Sequence, residues 1–128
     1  MNLLLDTHTF LWWHGERYKL PEHVRHLIED LDNDIYLSIA SIWEIQIKHQ
    51  LGKLELRTTL SDMVEKEVED NDFTLLLIGL PHVMALESLP LLHKDPFDRI
   101  LIAQAYAGKL SLISGDSDIK RYPIPVIW

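Results

Sequence analysis

Three stretches of this chain are apolar almost without interruption for the length of a β-strand, and amphipathic segments separate them. Leu3-Leu4-Leu5 ends at Asp6, Phe73–Ile78 lies mid-chain, and Leu110–Ser114 lies near the end. A strand with one wetted face alternates apolar and polar residues. A strand that does not alternate is buried on both faces, as in a parallel sheet covered by helices. Ile35–Ser38 and Pro125–Trp128 are two further strand candidates, giving a sheet of about five strands. Between them, Pro21–Leu31 sets Val24, Leu27, Ile28 and Leu31 on one stripe, with Pro21 suited to a first helical turn. Ala40–Leu51 stops at Gly52, Leu60–Glu69 is amphipathic and acidic, and Pro96–Ala107 ends at Gly108. Strands alternating with helices predict an α/β fold around a central, mainly parallel sheet flanked by helices. No repeat or linker divides the 128 residues, so residues 1–128 are expected to form a single domain.

In such a sheet the ligand site lies at the carboxyl ends of the strands, which makes the acids there informative. Asp6 ends the first strand, and Asp116 follows the strand Leu110–Ser114 in Ser114-Gly115-Asp116-Ser117-Asp118. Glu44 and Asp98 are each expected in the first turn of a helix, near the same edge. Carboxylates packed together raise one another's pKa unless cations intervene. Oxygen ligands alone suit a hard ion, Mg²⁺ or Mn²⁺, and such ions activate water and stabilise a leaving phosphodiester oxygen. Each acid also has a local reading. Ser41-Ile42-Trp43-Glu44 fits a capping box. Asp95-Pro96-Phe97-Asp98 reads as helix cap to third residue, where an acid complements the helix dipole. Asp116 and Asp118 suit a turn. Asp6 has the weakest such alternative.

Composition narrows the classes. There is no cysteine, which excludes disulfides, zinc–thiolate sites and a thiol nucleophile. Twelve Lys and Arg against 20 Asp and Glu give −8, a field that repels nucleic acid and suits a basic partner or bound cations. No apolar stretch approaches the roughly 20 residues of a membrane span, and the N-terminus lacks the basic region of a signal peptide. The expected setting is cytoplasmic, with no membrane partner.

On these residues the chain resembles the PIN-domain ribonucleases, specifically the VapC-like toxins of type II toxin–antitoxin pairs. The matching pieces are Leu3-Leu4-Leu5-Asp6-Thr7-His8, Ser38-Ile39-Ala40-Ser41-Ile42-Trp43-Glu44-Ile45, His93-Lys94-Asp95-Pro96-Phe97-Asp98-Arg99 with the helix that follows, and Leu112-Ile113-Ser114-Gly115-Asp116. The His-x-Asp-Pro-Phe-Asp-Arg block resembles one branch of these toxins. The resemblance implies a PIN-like fold and Mg²⁺-dependent cleavage of RNA by metal-activated water. It places the family's four acids on Asp6, Glu44, Asp98 and Asp116, with Asp6 and Asp98 holding the main ion. It also implies an antitoxin protein partner and a homodimer. Ser114 stands where the family usually has threonine, keeping the hydroxyl and losing the methyl. Asp95 reads as a helix cap and Asp118 as support around the site. Arg99 reads either as a phosphate contact or as an ion-pair partner of an acid.

Other features are less directive. Lys48, His49 and Lys53, or Lys120 and Arg121, could grip RNA or form solvated faces. Phe10-Leu11-Trp12-Trp13 reads as core or interface packing rather than base stacking. The histidines show no zinc pattern, His93 reads as a local hydrogen-bonding residue, and Glu65–Asp72 reads as a solvent-exposed acidic run. An aspartyl phosphatase would need a second acid where His8 stands, and a receiver-like domain would need an acid where Ile78-Gly79 stands. An RNA-processing nuclease without a toxin role, or a non-catalytic partner- or RNA-binding module, stays open beside the toxin reading.

Overall fold

The computed structural model describes all residues, Met1–Trp128. Strand β1 (Asn2–Leu5) runs through the centre of the sheet, and its three leucines are fully buried. Alternation along the strand divides them between two cores. Leu3 and Leu5 pack with Phe10, Trp13, Val24 and Ile35 on one face, and Leu4 packs with Leu101, Ile102 and Leu112 on the other. Helix α1 (Thr7–Gly15), a 3₁₀ turn at Arg17–Lys19 and helix α2 (Glu22–Glu29) lead to β2 (Asp34–Ser38). Helices α3 (Ile39–Gln50) and α4 (Leu60–Asn71) follow, then β3 (Thr74–Leu76), α5 (Leu80–Ala85) and α6 (Pro96–Gly108). Strand β4 (Ser111–Ile113), a 3₁₀ turn at Ile119–Arg121 and β5 (Val126–Ile127) complete the chain.

All neighbouring strands are parallel, in the order β3-β2-β1-β4-β5. The chain moves outward from β1 through β2 to β3 and then crosses to the other side for β4. The crevice between the carboxyl ends of β1 and β4 is therefore the topological switch point, where open α/β sheets bind ligands. Leu5 is opposite Ile113 in register, and the Asp6 N–H donates to the Ile113 carbonyl at 3.1 Å. Asp6 thus leaves the sheet beside Ser114.

Several local expectations change. The segment Thr7–Gly15, which carries no clear helical stripe, is helical because Asp6 caps it and because its apolar residues face inward in a dense cluster. Phe10 and Trp13 are core residues. Pro21 is the cap of α2 rather than its first residue, and Leu31 lies beyond the helix at 95% exposure. Strand β3 is an edge strand that stops at Leu76, so Leu75 is exposed on it, and Leu77 and Ile78 lie exposed beyond its end rather than doubly buried. Helix α6 does end at Gly108 as expected, and Lys109 follows it in the left-handed region (φ 54°). The acidic run is not wholly solvated, because Glu67 is fully buried.

Candidate active site

The Asp6 side chain caps α1, accepting the Thr9 N–H at 2.8 Å. It is only 5% exposed, and burial pushes its carboxyl above the ordinary range despite hydrogen bonds from Thr9 and Ser114. The buried Ser114 hydroxyl also accepts the Asp116 backbone N–H at 3.1 Å, which couples the two acids through one side chain. Asp116 Oδ1 accepts the Asp118 N–H at 2.7 Å, so the turn reading and the edge position hold together. Asp118 itself pairs with Arg121 at 3.5 Å on the surface.

Asp95 caps α6, its Oδ1 accepting the N–H groups of Phe97 and Asp98. Asp98 sits in the first turn of that helix, and its carboxyl is pushed up to about 6. Burial is the main cause. A hydrogen bond from His93 opposes it, while the charges of Asp95 and Asp116 add to it. Arg99 contacts none of the acids: its NH1 donates to the Pro90 carbonyl and to the Tyr122 hydroxyl, both at 2.9 Å. The ion-pair expectation for Arg99 is therefore incorrect, because the loop before α6 offers its guanidinium a carbonyl and a phenol instead.

Glu44 does not close a capping box. Ser38 caps α3, its Oγ accepting the Ala40 N–H at 3.1 Å, which leaves Glu44 in the second turn rather than the first. Its buried carboxylate accepts the Thr7 hydroxyl on Oε1 at 2.6 Å and pairs with Lys48 through Oε2 at 2.9 Å. This hydrogen bond is the first cause of a raised Lys48 pKa, and the charges of Asp95 and Asp98 contribute. Glu44, Lys48 and the start of α6 thus share one electrostatic neighbourhood. The Glu44–Lys48 pair follows from i,i+4 spacing on a helix and was readable in the sequence. Thr7 and Tyr122 were missed, since nothing local distinguishes them.

No lysine or arginine pairs with Asp6, Asp98 or Asp116. No three acidic or histidine side chains converge closely enough to form a ready-made cation cage. The arrangement is an open edge of carboxylates whose mutual repulsion is visible at Asp98. Its all-oxygen donor set, short of positive partners, fits a hard divalent cation. A cavity of about 310 Å³ opens onto Asp6 and Asp116 between His8, Trp12 and Trp128. Glycine is required at position 115, because a Cβ there would lie 2.6 Å from the Trp128 ring.

A parallel five-stranded sheet with acids at its switch point defines an α/β domain with a carboxylate-lined edge. The PIN-domain profile matches residues 3–125, and the chain belongs to that family. No curated protein sequence matches it significantly. Among solved structures it is similar to the Rickettsia felis VapBC2 complex bound to promoter DNA, with a TM-score of 0.74 at 15% identity, covering 99% of this chain and 98% of that one. It is also similar to DNA-bound VapBC of Salmonella typhimurium (TM-score 0.70, 13% identity, 99% and 97% covered). FitAcB of Neisseria gonorrhoeae is a third (0.63, 16%, 98% and 96%). At these identities the likeness speaks to the fold.

Proposed function

We propose that this chain is a divalent-metal-dependent endoribonuclease acting as the toxin of a toxin–antitoxin pair. The observation that carries the reading is the trio Asp6, Asp98 and Asp116, which lie at one sheet edge of a PIN domain with no lysine or arginine to neutralise them. Withdrawing Asp6 and, in part, Asp98 from water without a lysine or arginine partner costs stability, and a functional cation accounts for their retention.

Asp6 and Asp98 would hold Mg²⁺, or Mn²⁺, with Asp116 and Glu44 completing the set directly or through water. Glu44 would join only by yielding its Lys48 contact. When bound, the metal supplies a more acidic water and charge stabilisation for the phosphodiester. The protein's own part is positional. Ser114 links the Asp6 carboxylate to the Asp116 backbone, and Thr7 fixes Glu44 against α1. In-line attack of water at phosphorus then breaks the bond to the 3′ oxygen, leaving a 5′ phosphate and a 3′ hydroxyl. On a chain of net charge −8, a cation at the edge also reverses the local sign that would repel RNA.

Structural neighbours that are toxin–antitoxin complexes support a protein antitoxin as partner. So does a groove of about 570 Å³ beside the acids, with apolar Leu11, Leu54 and Leu56 and the cations Lys48, Lys53 and Arg57 along it. Exposed Leu77, Ile78, Leu80, Val83 and Met84 around β3 and α5 support a homodimer. The test is cleavage of a mixed folded RNA pool with Mg²⁺, with EDTA, and by Asp98→Asn. Cleavage that needs both metal and Asp98 is expected. Intact RNA together with no Mg²⁺ binding by calorimetry would move the function to partner binding.

A further inference from the structure

His93 lies in the loop before α6, and Tyr122 follows the 3₁₀ turn before β5, so the two are 29 residues apart in sequence. Both are largely enclosed: Tyr122 is buried, and the His93 side chain is 12% exposed. Their rings meet edge to face with centroids 5.4 Å apart. The Tyr122 hydroxyl receives two N–H donors, the His93 backbone at 3.2 Å and Arg99 NH1 at 2.9 Å. A phenol oxygen has two lone pairs and one hydrogen. With both lone pairs taken, its hydrogen is left for the third neighbour, His93 Nδ1 at 2.7 Å. Nδ1 is then the acceptor, and Nε2 carries the ring proton. A hydrogen on Nδ1 would ask a third donation of an oxygen that accepts two. His93 Nε2 is 3.1 Å from Asp98 Oδ2, and in this tautomer it donates there.

We propose that His93 is a positioning residue for Asp98: fixed as the Nε2–H tautomer by Tyr122, which Arg99 orients in turn, it holds Oδ2 and leaves Oδ1 as the oxygen that meets a divalent cation. This rests on the reading of Asp98 as a metal ligand. It gives Arg99 a role that is neither a phosphate contact nor an ion pair: the guanidinium occupies one of the two Tyr122 lone pairs and ties the phenol to the Pro90 carbonyl. Arg121 NH1 fastens the same loop through the Leu92 carbonyl at 3.2 Å. Groups that orient a ligand in this way, when removed, typically cost 10–100-fold in metal affinity.

Two measurements test it. Nitrogen-15 NMR of the imidazoles in the metal-free protein reads the tautomer directly: His93 is expected with hydrogen on Nε2 and none on Nδ1, and Tyr122→Phe is expected to lose that preference. Mn²⁺ affinity, by electron paramagnetic resonance, is expected to fall about 10-fold or more in His93→Ala. It should return to within about threefold in His93→Gln, whose amide N–H stands near the Nε2 position. A wild-type His93 protonated on Nδ1, or His93→Ala binding Mn²⁺ as tightly as the wild type, overturns the proposal. So does His93→Gln as weak as His93→Ala in folded protein. Wild-type protein that binds no Mn²⁺ overturns the metal reading itself along with this one, whereas normal wild-type binding with an unaffected His93→Ala overturns this one alone.

Discussion

Buried acids in two regions of this molecule are treated differently. Glu67, on α4, is fully enclosed, yet both of its oxygens are engaged. Oε2 accepts the Trp13 indole N–H and the Asn71 amide, both at 2.8 Å, and Oε1 meets His14 Nδ1 at 3.1 Å. Those donors come from α1 and from α4 itself, so the carboxylate fastens one helix to the other. At the sheet edge, Asp6 and Asp98 are also withdrawn from water, and burial pushes their carboxyls upward despite hydrogen bonds from Thr9 and Ser114 to the one and from His93 to the other. Burial alone does not separate a structural acid from a functional one. What differs is where the oxygens lie: those of Glu67 are spent joining α1 to α4, whereas Asp6 lines the open crevice at the switch point with Asp116.

The largest expected effect breaks the comparison at the edge. Asp6→Asn should lower Mg²⁺-dependent RNA cleavage by at least about 100-fold, because a neutral amide is a poor ligand for a hard cation. Its circular dichroism should match the wild type, since Asn still caps α1. The corresponding change at the other acid reverses the pattern. Glu67→Ala leaves the buried Trp13 indole N–H without its acceptor and opens space beneath α1, and should cost about 2–4 kcal/mol in urea unfolding. Cleavage per folded molecule should stay near wild type, and a large loss there would bring Glu67 into the site.

Acidity sharpens the contrast. The Asp98 carboxyl titrates near 6 in the folded chain, above its value in the unfolded one. The folded state therefore takes up the proton first, and metal-free protein should gain stability as pH falls from about 7 through 6 toward 4. Solvent screening of this partly exposed group holds the gain to about 1 kcal/mol. Thermal melts of the wild type and Asp98→Asn, compared at pH 7 and 5 in EDTA, should show the wild type gaining more; equal gains would remove Asp98 as the source. The smallest effect expected is at Asp118, whose exposed pair with Arg121 should contribute under about 0.5 kcal/mol. Asp118→Ala should leave both melting and cleavage nearly unchanged.

How much of this was legible beforehand varies by residue. The unbroken leucines of β1 announced a strand buried on both faces, and the acids after β1 and before α6 were correctly placed at strand and helix ends. Asp95 as a cap followed from the Asp-Pro-Phe-Asp order alone. Glu44 falls a turn later than expected because Ser38 and Ser41 offer equally good local caps, and β2 runs directly into α3 at Ser38, which takes the cap. Phe73–Ile78 has the composition of a central strand, yet the sheet order leaves it at an edge.

The sequence by itself determined the parallel α/β architecture and the acids at its carboxyl edge, because strand periodicity, capping and turn chemistry act over a few neighbouring residues. The tertiary structure alone decided which acids are satisfied. The Trp13–Glu67, Thr7–Glu44 and His93–Tyr122 contacts join residues 54, 37 and 29 positions apart. A hydrogen bond across such a separation exists only once packing has brought both partners into place, and no local pattern encodes it.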